Sequence, residues 1–307
     1  GLLVLVLILG GGAGALIIDN PFILGLIGLS VIPAGLLALY VYRTDITTDE
    51  PATLLAATFV LSILFAGFAA FVNTALGFIQ LLPLVGFVLF YFLVVGPIEE
   101  TVKLLAVRLY AFRDDRFDSV IDGAVYGAVA GLGFATIENT LYVVQGFLRA
   151  QEAGATQAVG AAIGTATSRA LAGPGHVIYS AWAGYYLGLA KFNREYRGPI
   201  VVKGLLIAVV LHGAYNTTVT YVPALFSPPN WWYLLFVVAF DGTFFYLLYR
   251  KLGRYRDNYA AVDGEARAQE SDDGETADTE PEGRTIDDAD ATTSDDRGPV
   301  WDAPKRP

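Results

Sequence analysis

Long apolar runs, separated by short polar interruptions, set the pattern of this chain. They fall at about 2–18, 21–42, 51–72, 76–95, 98–112, 119–147, 158–172, 174–192, 199–222 and 230–250. At 1.5 Å per residue, the well-formed runs are long enough to cross a hydrocarbon core of about 30 Å. A soluble enzyme with a buried sheet would need polar helical faces between its apolar strands, and these are missing. The pattern predicts an all-α, polytopic transmembrane helical bundle of about 8–9 spans. The first run, which lacks a basic flank, reads as a membrane helix rather than a signal peptide. The small-residue run "AVGAAIGTATSRALA" at 158–172 is only weakly apolar and is expected as a re-entrant or interfacial helix. Gly123, Gly127, Gly131, Gly184 and Gly188 would let helices approach closely.

The span count turns on Gly96–Pro97. A single helix over 76–112 would give eight spans but would be about 55 Å long. Proline inside a helix removes a hydrogen bond and clashes with the preceding turn. A break at Gly96–Pro97 is therefore expected, giving nine spans with the N-terminus outside.

Composition sharpens the class. Apolar and aromatic residues make up 54% of the chain and charged residues only 16%. There is no cysteine, which excludes disulfides, cysteine zinc clusters and thiol nucleophiles. Residues from Asp257 onward hold 16 acids and 5 bases, a net −11 out of the whole chain's −10, which leaves +1 before them. Stretches such as "QESDDGETADTEPEG" bury too little surface to offset ordering entropy and are expected to be disordered. The domain reading is N-terminal membrane helices at 1–75, a helical core at 76–253 and a disordered acidic cytoplasmic tail at 254–307. Basic loops at 108–116, 191–197 and 250–256 lie at alternate ends of the intervening spans, so all three can face the cytoplasm of a multi-pass cell-membrane protein.

Ionisable groups inside apolar spans carry the chemistry, because each is costly there. They are Glu99, Glu100, Lys103, Asp122, Glu138, His176, Lys203, His212 and Asp241. Taken singly, each has an ordinary explanation. Lys103 can pair with one of the adjacent glutamates on a helix face. His176 can cap a turn, and Glu138 can bond a neighbouring helix. Taken together, three acids and the chain's only two histidines need a common cause.

Two histidines and a carboxylate are a familiar zinc set with an open position. Zinc lowers the pKa of a water toward about 7, and a further glutamate can serve as general base. His176, His212 and Glu138 are the candidate metal ligands, and Glu99 or Glu100 the base. Asn216, one turn from His212, is a candidate oxyanion donor. An ion-coupled carrier using Glu138, His176 and Asp241 is the reading from another class, although the paired broken helices of transporters are not evident. A non-catalytic scaffold using the acidic tail is a third.

The series "EETVK" (99–103), "FATIEN" (134–139), "GHVIYSAWAGYYLG" (175–188) and "HGAYN" (212–216) resembles the PrsW family of intramembrane metalloproteases. That family is grouped with the CaaX-prenyl endopeptidases. The resemblance covers about residues 80–220. It implies proteolysis of a membrane-anchored protein, with Glu99, Glu100, Glu138, His176 and His212 as the matching site residues and a divalent metal, zinc by expectation, as cofactor. The prenyl-endopeptidase branch has E-E-x-x-x-R and a histidine in the second motif. Here Lys103 stands at a shorter spacing and Glu138 occupies the second motif, which tells against CaaX processing, and CaaX-type or bacteriocin processing is kept as the enzymatic alternative. The expected partners are the protein substrate and the lipid bilayer, with no nucleic acid. The site is expected in the outer half of the bilayer, with cleavage at the substrate's extracytoplasmic boundary.

Overall fold

The computed structural model describes residues 20–45, 50–229 and 231–277. Among the described residues every regular element is helical. In order these are α1 (Pro21–Tyr42), α2 (Ala52–Ala75), a 3-10 turn (Gly77–Leu81), α3 (Gly86–Phe90), a π turn (Tyr91–Val95), α4 (Gly96–Leu109), a second 3-10 turn (Ala111–Arg113), α5 (Val120–Gln151), α6 (Ala155–Lys191), α7 (Arg197–Phe226) and α8 (Trp232–Ala277). Residues up to Arg256 form one compact unit, and those from Asp257 form a second. The span expected at 2–18 lies outside the described residues, as do residues 278–307. Helix α8 runs on to Ala277, past the tail boundary expected at 254.

The helices are inside-out relative to those of a soluble protein. On α2 the buried residues are Leu54, Thr58, Ser62, Ala66 and Ala69, a stripe of mostly small and polar side chains at helical spacing. Its outward residues include Val60, Phe68 and Phe71, about half exposed. A face that is apolar where it meets the surroundings and small where it meets protein suits lipid, which solvates leucine and phenylalanine as well as a core does. Among the described residues five helices are long and apolar enough to cross a membrane: α1, α2, α5, α7 and the 232–259 part of α8. The helical run Gly86–Leu109 and α6 pack alongside them.

Helices α5 and α6 form the centre of the bundle, and glycine makes their contact possible. A Cβ on Gly123 would overlap the carbonyl of Gly184, one on Gly127 that of Ser180, and one on Gly131 that of His176. The backbones touch, so none of these clashes can be relieved by turning a side chain. Gly131→Ala is therefore expected to push α6 away at His176 and to destabilise by about 1–3 kcal/mol, the usual cost of overpacking. Gly160 and Gly164, also on α6, have open space around them. Alanine there should be neutral, or stabilising by about 0.5–1 kcal/mol. Thermal unfolding in detergent micelles compares the three variants.

Two expectations are corrected. The chain does not break at Gly96–Pro97. It reverses earlier, over residues 76–85, where Leu82 is extended and Leu84 is left-handed at φ 64°. From Gly86 the helix runs to Leu109 without interruption, so 76–95 and 98–112 are not two spans. The physical reason is the π turn. The Gly96 N–H donates to the Tyr91 carbonyl, five residues back. This wider turn relieves the ring clash and the missing donor that Pro97 brings to an ordinary turn. The second correction concerns 158–172 and 174–192, which are one helix. Helix α6 passes through Pro174 and covers 37 residues, so no separate re-entrant helix forms.

Candidate active site

Four helices meet around one polar cluster. Helix α4 contributes Glu99, Glu100 and Lys103, all buried. Helix α5 contributes Glu138 and Asn139. Helix α6 contributes Arg169, His176 and Ser180, and α7 contributes His212 and Asn216. The π turn also sets which way α4 faces. An extra residue in one turn rotates everything after it by about 100°. Both glutamates thereby lie against α6 and α7 rather than lipid.

Glu100 is fully enclosed and fully committed. Its Oε1 accepts from Lys103 Nζ at 2.7 Å and lies 2.8 Å from His212 Nδ1. Its Oε2 accepts from Ser180 Oγ at 3.4 Å. Lys103 Nζ also lies 3.0 Å from His176 Nδ1 and sits 4.3 Å above the centre of the Phe134 ring. Glu99 is held from one side only. Asn73 Nδ2 donates to its Oε1 at 3.0 Å, while its Oε2 is buried with no hydrogen-bond partner. That oxygen lies 3.7 Å from His212 Nε2 and 3.9 Å from Lys103 Nζ. The rings of His176 and His212 meet edge to face with centres 5.4 Å apart.

Glu138 has a different setting. Its Oε2 accepts from Arg169 Nη2 at 2.7 Å and lies 2.8 Å from His176 Nε2. Arg169 Nε donates to Asn139 Oδ1 at 2.8 Å. Asn139 Nδ2 in turn donates to the carbonyl of Ser30 on α1 at 3.0 Å. The Glu138 side chain is 20% exposed, against 6% for Glu99 and none for Glu100. Of the three acids it is the one that water can reach.

The sequence placed Glu138 with the two histidines as a metal set. In the structure the acid whose oxygen converges with both histidines is Glu99. One donor atom each from Glu99, His176 and His212 lie within 4.8 Å of one another. The chemistry of the set fits a divalent metal. A buried carboxylate oxygen without a donor faces two imidazoles, and Glu100 holds His212 Nδ1 so that Nε2 is free to act as ligand.

A cavity of about 790 Å³ reaches the cluster and is lined by Glu99, Glu138, His176, His212 and Asn216. It is also lined by Asn73, Gln80, Gln145, Arg149 and Thr220, which lie in the last turns of α2, α5 and α7 or in the loop after α2. These positions are at the end of the bundle opposite the basic loops. Lys191 Nζ, which donates to the carbonyls of Phe112 and Asp114, holds two of those loops together. Asp241, grouped with Glu138 and His176 in the carrier reading, does not line the cavity. It is buried on α8 and accepts from the Tyr179 hydroxyl at 2.8 Å. Asp122 caps α5 far from the cluster, and Lys203 is exposed near the start of α7.

Sequence reasoning missed Arg169, Asn73 and Ser180. Arg169 was legible in principle. It is the only cation in the run 155–190 and stands seven residues before His176, two helical turns away on the same face.

A family described as PrsW family intramembrane metalloprotease matches residues 50–243. The chain is 30% identical over 217 residues to a Protease PrsW of Geobacillus kaustophilus, covering 67% of this chain and 88% of that protein. It is 28% identical over 214 residues to a Protease PrsW of Bacillus subtilis, covering 68% and 87% respectively. It is 32% identical over 125 residues to one from Halalkalibacterium halodurans, covering 41% and 52%. No solved structure matches the chain.

Proposed function

This chain belongs to the PrsW family of intramembrane metalloproteases, and from that premise we propose that it cuts a membrane-anchored protein near the substrate's extracytoplasmic boundary. It is a peptide-bond hydrolase of the cell membrane, built from several apolar helices. The observation that carries the reading is the unpartnered Glu99 Oε2 beside two histidines at a cavity within the bundle.

Glu99, His176 and His212 are the residues that would hold the metal, zinc by the chemistry of the set. When bound, such an ion supplies Lewis-acid polarisation and brings water ionisation close to neutral pH. The protein's own groups do the rest. Glu138, the acid most open to the cavity, takes the proton from the attacking water, and Arg169 aims it. Asn216 donates to the carbonyl oxygen as charge develops there. Glu100 orients His212, and Lys103 balances Glu100. The roles expected from sequence for Glu99 and Glu138 are thus exchanged.

Hydrolysis needs water, which hydrocarbon does not supply, and the cavity reaches the end remote from the basic loops. Basic loops face the cytoplasm, which puts the mouth on the outer side. The outer site expected from a Gly96–Pro97 turn is thus supported on other grounds. A single-span substrate reconstituted with the protease is expected to be cut at or just outside its extracytoplasmic boundary, read as the product's new N-terminus by mass spectrometry. A cut in the cytoplasmic third of the substrate helix overturns this reading.

A further inference from the structure

A second group of acids lies at the basic end of the bundle. Asp45 follows α1, Glu50 precedes α2, and Asp122 sits in the first turn of α5. One oxygen from each lies within 4.8 Å of the others. Asp122 is positioned by the start of its helix. Its Oδ2 accepts the backbone N–H groups of Asp118 at 2.7 Å and Ser119 at 3.1 Å, and its Oδ1 accepts from the Ser119 hydroxyl. This cap aims a buried carboxylate at the α1–α2 connection.

Glu50 is the unusual member. It is 5% exposed, and neither carboxylate oxygen has a hydrogen-bond donor. Among the described residues no Lys or Arg pairs with it or with Asp122. Its close neighbours are the other two acids and the fully buried Tyr126, one turn beyond Asp122, whose hydroxyl is also without a partner. Asp114 in the next loop shows the usual solution. Hydrogen bonds from Arg116 hold its carboxyl down at about 2. Nothing of that kind serves Glu50, and burial followed by Asp45 pushes its carboxyl up to about 9. Lys191 acts on Asp122 without making an ion pair with it, and a proton on Glu50 or a bound cation would relieve the rest of the crowding.

We propose that Asp45, Glu50 and Asp122 form a second cation site for a hard divalent ion, which ties Asp45 and Glu50 to the start of α5. Carboxylates alone, with no nitrogen or sulfur, select hard cations. Each acid offers one oxygen to the shared space, and hard cations such as calcium take oxygen ligands. The site is separate from the Glu99 cluster, since Asp122 and Glu138 are sixteen residues apart on one helix, about 24 Å.

The test uses the full chain purified in detergent, with terbium as an oxygen-seeking calcium probe excited through the protein's tyrosines. A calcium-displaceable signal is expected in the parent protein and in His212→Ala. In Glu50→Gln and Asp45→Asn, calcium displacement should weaken by at least about tenfold, as loss of a charged ligand requires. Glutamine mimics the protonated acid, so Glu50→Gln should match the parent's melting temperature in EDTA but lose the rise that calcium gives the parent. Equal terbium signals in parent and Glu50→Gln would assign the binding to the acidic residues beyond 257 and overturn the site. The site is likewise overturned if calcium leaves the parent's melting temperature unchanged, which leaves a proton shared by Glu50 and Asp45.

Discussion

Glu99→Gln, His176→Ala and His212→Ala are expected to strip the purified protein of its metal, while Glu138→Gln keeps the metal and still loses activity. The contrast follows from the two settings. Glu99 has one oxygen fastened by Asn73 and the other left without a donor beside the histidines. Glu138 is engaged by Arg169 and opens more to the cavity. Loss of a general base costs about 10²–10⁴-fold in rate, so Glu138→Gln should fall in that range with stoichiometric metal retained. Elemental analysis beside a cleavage assay on a single-span substrate separates the two losses. Metal retained in Glu99→Gln but lost in Glu138→Gln would restore the assignment drawn from sequence. Full occupancy in the double histidine variant would remove metal from this site altogether.

Lys103→Met should be the most destabilising single change in the cluster. Lys103 and Glu100 are both without solvent exposure and 2.7 Å apart. Removing one member of a buried pair leaves the other charge uncompensated and costs about 3–5 kcal/mol. Replacing both members by neutral groups is often nearly neutral, so Lys103→Met with Glu100→Gln should recover most of the stability. Activity should not return, because Glu100 also holds His212 Nδ1 and Lys103 also touches His176 Nδ1. Thermal unfolding and cleavage rates on the two single variants and the double variant test this. Recovery of both stability and cleavage in the double variant would show that the pair only fills space.

The membrane class and the inventory of the site were legible along the chain for one reason. A charge inside an apolar helix is expensive wherever that helix ends up. Glu99, Glu100, Lys103, Glu138, His176 and His212 therefore stand out before any contact is known, and the structure gathers all six into one cluster. Asp122, Lys203 and Asp241 stood out by the same rule and are elsewhere. A cap, an exposed stem and a tyrosine partner can each satisfy a polar group as well as a site can.

What the sequence by itself determined is that these helices are apolar, where small residues let them touch, and which side chains have chemistry to offer. Such properties depend on the residue and its near neighbours. What the tertiary structure alone decided is how the side chains face one another. The Gly96–Pro97 pair is compatible with a break or with a wider turn, and only packing against α7 and α2 selects the π turn that sets the phase of α4. Pro174 likewise permits a break or a continued helix, and continuation is what carries Arg169 to Glu138. Where Glu99 and Glu138 stand relative to the two histidines follows from those two long-range outcomes. A rotation of about 100° changes a side chain's partners while leaving the local pattern of apolar and polar residues unchanged.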